Sequence, residues 1–316
     1  MSSISPSSSA SLTSPVSVAA PDAARRERHG QWLMIAGGLL LGTLGIFIEE
    51  AHQAPLTAVW FRCAFGGAAL LAWGALTGRL AHLRLSRAGL AAAVCAGLLV
   101  MLNWALFFAA IERTSIAVAT VVFHVQPLWV IAFGAWWLRE PVTKRQCAAA
   151  LVALAGLALA TGLFEPGPSG SAQPAWSESY VWGLVMCLGG SVSYAVVTLI
   201  AKSARSVSSF ALAWWQCAVG AALLCWWPWV HGWPQAASAW AWLAGLGVIH
   251  TGLAYVVLYA GMARLSAGRI AVLQFVYPAA AVLVDWAVYG RALSPVQAVG
   301  VALMGLALWA ARQRKV

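Results

Sequence analysis

Charge is what this chain has least of. Only 9% of its 316 residues are charged, nine of them acidic, against 62% hydrophobic. A soluble domain carries about 25% charge. A chain built this way cannot cover a water-facing surface, which excludes a soluble enzyme and a nucleic-acid reader. The acidic residues are too few and too dispersed for a general acid/base pair, and no HExxH, GxSxG or P-loop pattern occurs. The six cysteines, Cys63, Cys95, Cys147, Cys187, Cys217 and Cys225, lie in or at the edge of apolar segments with no CxxC pair. That supports neither a disulfide framework nor a metal site. No cofactor and no nucleic-acid partner is implied.

What the chain does have is apolar length, with a mean hydropathy of +0.80. The runs fall at about 31–48, 56–77, 88–110, 115–138, 145–163, 180–201, 208–230, 238–261, 265–289 and 295–311. Each approaches the roughly 20 residues that span a bilayer. Turn or charge clusters separate them, among them Glu49-Glu50-Ala51-His52 and Arg139-Glu140-Pro141. Many of the 19 tryptophans sit near run ends, as in Trp226-Trp227-Pro228-Trp229, which suits the headgroup level. The predicted fold class is an all-α integral membrane protein with ten transmembrane helices. Residues 1–30, rich in Ser, Ala and Pro, read as a disordered tail. Arg25, Arg26 and Arg28 abut the first run with no cleavage site behind it, so that run reads as a retained anchor.

Basic residues set the orientation. With the amino end in the cytoplasm, fifteen Lys and Arg fall on inside segments and only Arg113 and Arg291 on outside ones. Such a positive-inside bias places both termini in the cytoplasm and supports an even helix count. The net charge of +10 is then mostly topology.

The chain also repeats itself. Trp60, Cys63 and Ala64 of the second run match Trp214, Cys217 and Ala218 of the seventh. Ser115, Val121, Val125, Pro127 and Gln146 align with Ser266, Val272, Val276, Pro278 and Gln297 at a constant offset of 151. Two five-helix copies must enter the bilayer from opposite sides, giving an inverted repeat, the architecture of many secondary transporters. The predicted organisation is a cytoplasmic tail 1–30, a first repeat 31–163, a periplasmic linker 164–179, a second repeat 180–311 and a basic cytoplasmic tail 312–316.

Several motifs carry a resemblance. Pro55 precedes Arg62 by seven residues, and Phe108-Ala109-Ala110 is followed by Thr114-Ser115-Ile116-Ala117. Then come Pro127 and Arg139-Glu140-Pro141-Val142-Thr143 leading to Gln146, and the second copy keeps Tyr259-Ala260-Gly261, Leu265-Ser266-Ala267, Pro278 and Leu293-Ser294 with Gln297. Over about residues 31–311 the chain resembles the ten-helix drug/metabolite transporter superfamily with two tandem EamA-type repeats. The resemblance implies movement of amino acids, other metabolites or drugs, with export favoured, and a cavity lined by helices 1, 3, 4, 6, 8 and 9. One departure stands out: Arg291 occupies the place of Glu140 in the second copy.

Polar groups inside apolar runs need a reason to be there. Arg62 reads either as an anion-binding or gate-stabilising arginine, or as one that snorkels or makes a structural hydrogen bond to neighbouring carbonyls, with the structural reading favoured. Asp285 and Arg269 stand one turn from the ends of the ninth run and both can snorkel. Gln274, Tyr277, Ala281 and Asp285 fall on one helical face, as do Ala117, Thr120, His124 and Pro127. Ser191, Tyr194 and Thr198, and Thr251, Tyr255 and Tyr259, make two further stripes. These faces are expected to point inward, as a ligand-lined cavity or as interhelical hydrogen bonds. On an ideal helix Gln126 sits about 200° from His124, so His124 is favoured over it for the cavity. The cavity candidates are Asn103, Thr120, His124, Tyr194, His250, Tyr255, Gln274 and Tyr277. Imidazole titrates near neutrality, so His124 or His250 can carry a coupling proton. Pro127 and Pro278 are expected to kink their helices at symmetric midpoints.

These readings favour a secondary transporter for a small organic solute in a bacterial-type inner membrane, with a proton or counter-solute as possible partner. The rival is a non-transporting polytopic protein, an intramembrane enzyme or a receptor-like scaffold. The oligomeric state is not encoded in any feature of the sequence.

Overall fold

The computed structural model describes residues 19–163 and 177–312. The start of the predicted tail, most of the linker 164–179 and residues 313–316 lie outside the described residues. Among those described, every regular element is helical.

Ten rods follow one another. They are α1 (Ala19–Gly42, continued by Leu44–Ala51), α2 (Pro55–Leu76), α3 (Arg87–Arg113), α4 (Ile116–Phe123 and Gln126–Trp136) and α5 (Lys144–Ala160). The second set is α6 (Glu178–Ser203), α7 (Ser209–Leu223), α8 (Ala237–Met262), α9 (Ala267–Leu273 and Val276–Tyr289) and α10 (Pro295–Arg312). Seven are long and apolar enough to cross a bilayer by length and composition, and α5, α7 and α10 are the shorter rods.

Local chemistry starts these rods where the sequence punctuates them. Ser86, Ser115, Ser177 and Ser208 each accept a hydrogen bond from a first-turn amide, which satisfies one of the helix's orphan donors. The repeated Gln has the same cause in both copies. Thr143 and Gln146 cap each other reciprocally at 3.1 and 3.2 Å, and Ser294 and Gln297 do so at 3.0 and 3.2 Å.

The helix pairings close under exchange of the two halves. α2 packs on α7, α4 on α9 and α5 on α10, each pairing equivalent rods. α1 packs on α8 and α9, and its equivalent α6 packs on α3 and α4. This is the ten-helix inverted repeat. Close approaches lock it: a Cβ on Gly156 of α5 would meet the Gly300 carbonyl of α10 at 2.7 Å, and one on Gly66 of α2 would meet the Gly247 carbonyl of α8 at 2.9 Å. Packing of this kind needs glycine because lipid supplies no hydrophobic drive between rods.

Two boundaries differ from expectation. α1 begins at Ala19 within the segment predicted to be disordered, because Glu27 pairs with Arg269 at 2.9 Å and Gly30 seats against Arg264 and Gly261. Arg269 therefore has an ion-pair partner on α1. The seventh run, expected to reach 230, ends at Leu223, and Trp227–His231 form a separate short turn opened by Pro228.

The fourth and ninth runs are each interrupted for two residues by a tightened turn. In α4 the break falls at His124–Val125 and in α9 at Gln274–Phe275. Proline lacks an N–H for the carbonyl four residues earlier and clashes with it. For Pro127 and Pro278 those carbonyls belong to Phe123 and Gln274, so the chain tightens to three-residue spacing, Val125 N to Val122 O and Phe275 N to Val272 O, both at 3.2 Å. The kinks expected from the prolines lie one turn ahead of them, at equivalent levels of the two halves.

Candidate functional site

The broken rods α4 and α9 meet along the axis relating the halves. His124 and Phe275, equivalent positions of the repeat, bring their rings to 6.1 Å. On its other side His124 stacks against Tyr277 at 6.1 Å and 30°. Its Nδ1 lies 2.7 Å from the Thr120 carbonyl. A carbonyl only accepts, so Nδ1 carries the proton and Nε2 keeps its lone pair. Nε2 has no protein partner among the described residues and is not sealed by protein.

Above Thr120 lies a cavity of about 560 Å³ lined by α1, α4, α5, α9 and α10, including Gly42, Ala117, Thr120, Ala281 and Asp285. It opens on the face opposite the termini. At its mouth Arg291 binds Asp285 at 2.7 Å and Glu49 at 2.8 Å, and Tyr289 donates to Glu50 at 3.1 Å. The two carboxylates beside it raise the Arg291 guanidinium above its ordinary pKa. Asp285, expected to snorkel or gate, is thus one arm of this mouth.

The termini face is tied shut between the halves. Glu140, after α4, pairs with Lys202 at the end of α6 at 2.5 Å, and its other oxygen accepts from Ala267 N, the first amide of α9, at 2.7 Å. Helix N-termini favour negative charge, so one carboxylate holds two rods of the other half.

Between vestibule and latch the polar groups converge on α6. Gln126 and Gln274 both donate to the Thr198 hydroxyl, at 3.3 and 3.2 Å, and Thr198 donates to the Tyr194 carbonyl at 3.0 Å. Gln126, set aside for the cavity in favour of His124, is buried and joins Gln274 on the Thr198 hydroxyl. The hydroxyls of Tyr194, Tyr255 and Tyr277 have no hydrogen-bond partner among the described residues, and none is sealed by protein.

Two candidates fall outside this centre. Asn103 is buried and donates to the Gly190 carbonyl at 2.9 Å, fastening α3 to α6. His250 is fully buried against α1, with Nε2 2.9 Å from Thr43 Oγ1 and its ring 4.5 Å from Phe47. Thr43 Oγ1 also donates to the Leu40 carbonyl, and Nδ1 of His250 has no hydrogen-bond partner among the described residues. His250 stands in a stretch of α8, Leu246–Leu253, wound with π-type i→i+5 bonds, a local widening often found at functional places.

Arg62 is in neither of the places that snorkelling would put it. It is 6% exposed, donates from Nε to Thr251 Oγ1 at 2.9 Å, and lies 4.2 Å over the Trp104 ring. A charge at mid-membrane costs about 2.5–3.5 kcal/mol on insertion scales, and the ring contact offsets roughly 1–2 kcal/mol of it.

Comparison with known proteins places this geometry. Residues 28–162 and 181–312 each match the EamA-like transporter family. An uncharacterized transporter, YxxF, of Bacillus subtilis is 24% identical over 286 residues, 89% of each chain. An uncharacterized transporter of Archaeoglobus fulgidus is 26% identical over 280 residues, 88% of this chain and 94% of its own. A solved crystal structure superposes with a TM-score of 0.76 at 23% identity, covering 90% of this chain and 97% of its own, a likeness of fold.

Proposed function

The chain belongs to the EamA-like transporter family, and from that premise we propose that it works by alternating access as an exporter of a small organic solute. Its setting is a bacterial-type inner membrane with both termini in the cytoplasm, which the charge bias of the loops supports. The vestibule at Glu49, Asp285 and Arg291 then opens to the outside, and the Glu140 latch closes the inside.

The observation that carries this reading is the meeting of two broken rods from opposite halves at one level. A helix interrupted in mid-membrane leaves backbone that is tolerated only where protein or a cavity surrounds it. Equivalent breaks in equivalent rods give each half a flexing point. The halves can exchange conformations about His124 and Phe275, opening the latch as the vestibule closes. Tyr194, Tyr255 and Tyr277, with Gln274 and His124, line the proposed seat, and their rings suit an amphipathic solute such as an amino acid or an aromatic metabolite. His124 Nε2 supports a proton as the coupling partner.

The test is flux in proteoliposomes holding the purified full chain, against a panel of amino acids, organic acids, amines and drugs. At least one solute is expected to move faster than in empty vesicles, and faster still under an imposed pH gradient. No flux of any solute overturns the reading.

A further inference from the structure

We propose that Arg62 seats the anionic group of the solute, so that the transported class is a carboxylate joined to an apolar or aromatic body. The inference deepens the transporter reading and rests on it.

A guanidinium within the membrane calls for an anion. Four ion pairs are formed among the described residues, and Arg62 belongs to none of them. Only Nε is hydrogen-bonded, to Thr251. The two terminal nitrogens carry no hydrogen bond and are not sealed by protein, although the residue is 94% buried in the sense that 6% of it is exposed. The fork therefore faces internal space. A planar fork with two free N–H edges matches a carboxylate.

The arginine is held in this attitude. Thr251 donates its own proton to the Leu246 carbonyl five residues back at 3.3 Å, a geometry supplied by the π-wound stretch. Its oxygen is thus fixed as an acceptor for Nε. Trp104 covers one guanidinium face. Both constraints orient the fork before any solute arrives.

The surroundings complete an anion seat with an apolar wall. Arg62 lies within electrostatic reach of Tyr194, Tyr255 and Tyr277, whose unpartnered hydroxyls are potential donors. Gln216, the repeat equivalent of Arg62, accepts from Tyr259 at 2.5 Å and leaves its Nε2 a sealed donor without a partner. No carboxylate side chain enters this ring among the described ion pairs. An amine lacking a carboxylate would meet the fixed positive charge and be rejected, whereas a zwitterion can present its carboxylate.

The experiment uses matched probes in proteoliposomes of the full chain: L-phenylalanine against L-phenylalaninamide, and indole-3-acetate against indole-3-acetamide. Wild type is expected to move at least one acid about tenfold faster than its amide. Arg62→Gln should remove that preference, and Arg62→Lys should keep part of it. Equal rates for acid and amide in wild type, or an acid preference that survives Arg62→Gln, overturns the proposal. If Arg62→Gln fails to fold, Thr251→Val decides, since it frees Nε without removing the charge and should lower acid flux selectively; unchanged acid flux counts against the seat. Flux of cations or neutral solutes alone overturns the anion seat and spares the transporter reading. Flux of nothing overturns both.

Discussion

His124 and Phe275 occupy equivalent places in the two halves, and their rings stand 6.1 Å apart at the level where both broken rods turn. The geometry is symmetric and the chemistry is not, because only one partner can take a proton. Its Nδ1 is committed to the Thr120 carbonyl at 2.7 Å, so protonation falls on Nε2, beside Tyr277. His124→Phe makes the pair symmetric and removes that site. The variant should reach the membrane in normal amount and lose its response to an imposed pH gradient. Solute uptake with and without the gradient checks this, and a response equal to wild type would place the coupling proton elsewhere.

Thr198 is the point at which the halves share one hydroxyl. Gln126 from the first and Gln274 from the second both donate to it. Thr198→Val leaves two amides without an acceptor, at about 1–3 kcal/mol for each buried group left unmade. Thr198→Ser keeps the acceptor. The valine variant should melt earlier and transport poorly while serine stays near wild type, read by thermal unfolding in detergent and by flux. Equal behaviour of the two would show that the network is not held through this oxygen.

Helix contact by glycine gives a prediction with its own control. Gly156 faces the Gly300 carbonyl so closely that a Cβ would stand 2.7 Å from it, whereas Gly305 on the same α10 has nothing within 4 Å. Gly156→Leu should force α5 from α10 and abolish the folded yield. Gly305→Leu should leave the elution profile on size exclusion unchanged. Folded Gly156→Leu protein would contradict the α5–α10 seam.

Much of this was legible in the sequence, for physical reasons that also mark where legibility ends. Run lengths, the fifteen-to-two charge bias and the 151-residue offset are properties of composition and order, so ten rods and two copies followed from them. Pro127 and Pro278 pointed to a distortion of their helices, but not to its place one turn ahead, because the clash falls on the carbonyl four residues back. His250 and Asn103 looked like cavity residues because a period cannot tell a buried polar group facing a neighbour helix from one facing a void. Arg62 kept two readings in the sequence because its partner Thr251 is 189 positions away. The π stretch that aims the two at each other has no sequence signature.

Glu140 and Arg291 hold the same place in the two copies, and the difference between them predicts which face is shut. Glu140 caps the amide end of α9 and pairs with Lys202. The equivalent amide end, at Ser115–Ile116 of α4, would need an acid at 291 to be held in the same way. It meets an arginine instead, which helix polarity repels and which Asp285 and Glu49 draw to the vestibule mouth. The charge of Arg291 is insensitive to pH in any working range: the neighbouring Asp285 and Glu49 carboxylates raise its pKa further above the ordinary guanidinium value, so its own deprotonation does not open these ion pairs near neutral pH. The bias toward the open vestibule therefore comes from the latch on the other face. Removing one charge-assisted contact of a half-buried pair is worth about 1–2 kcal/mol, a factor of roughly 5–30 in the ratio of the two states. Glu140→Gln should shift the population by that factor toward the state open on the termini face. A membrane-impermeant maleimide reports it, through faster labelling of Ala271→Cys from the termini face and slower labelling of Ala117→Cys from the vestibule. Arg291→Glu should slow vestibule labelling with Glu140 intact, by offering α4 the cap it lacks. Unchanged rates at both positions in both variants would mean that the acid at 140 and the arginine at 291 do not set the balance between the faces.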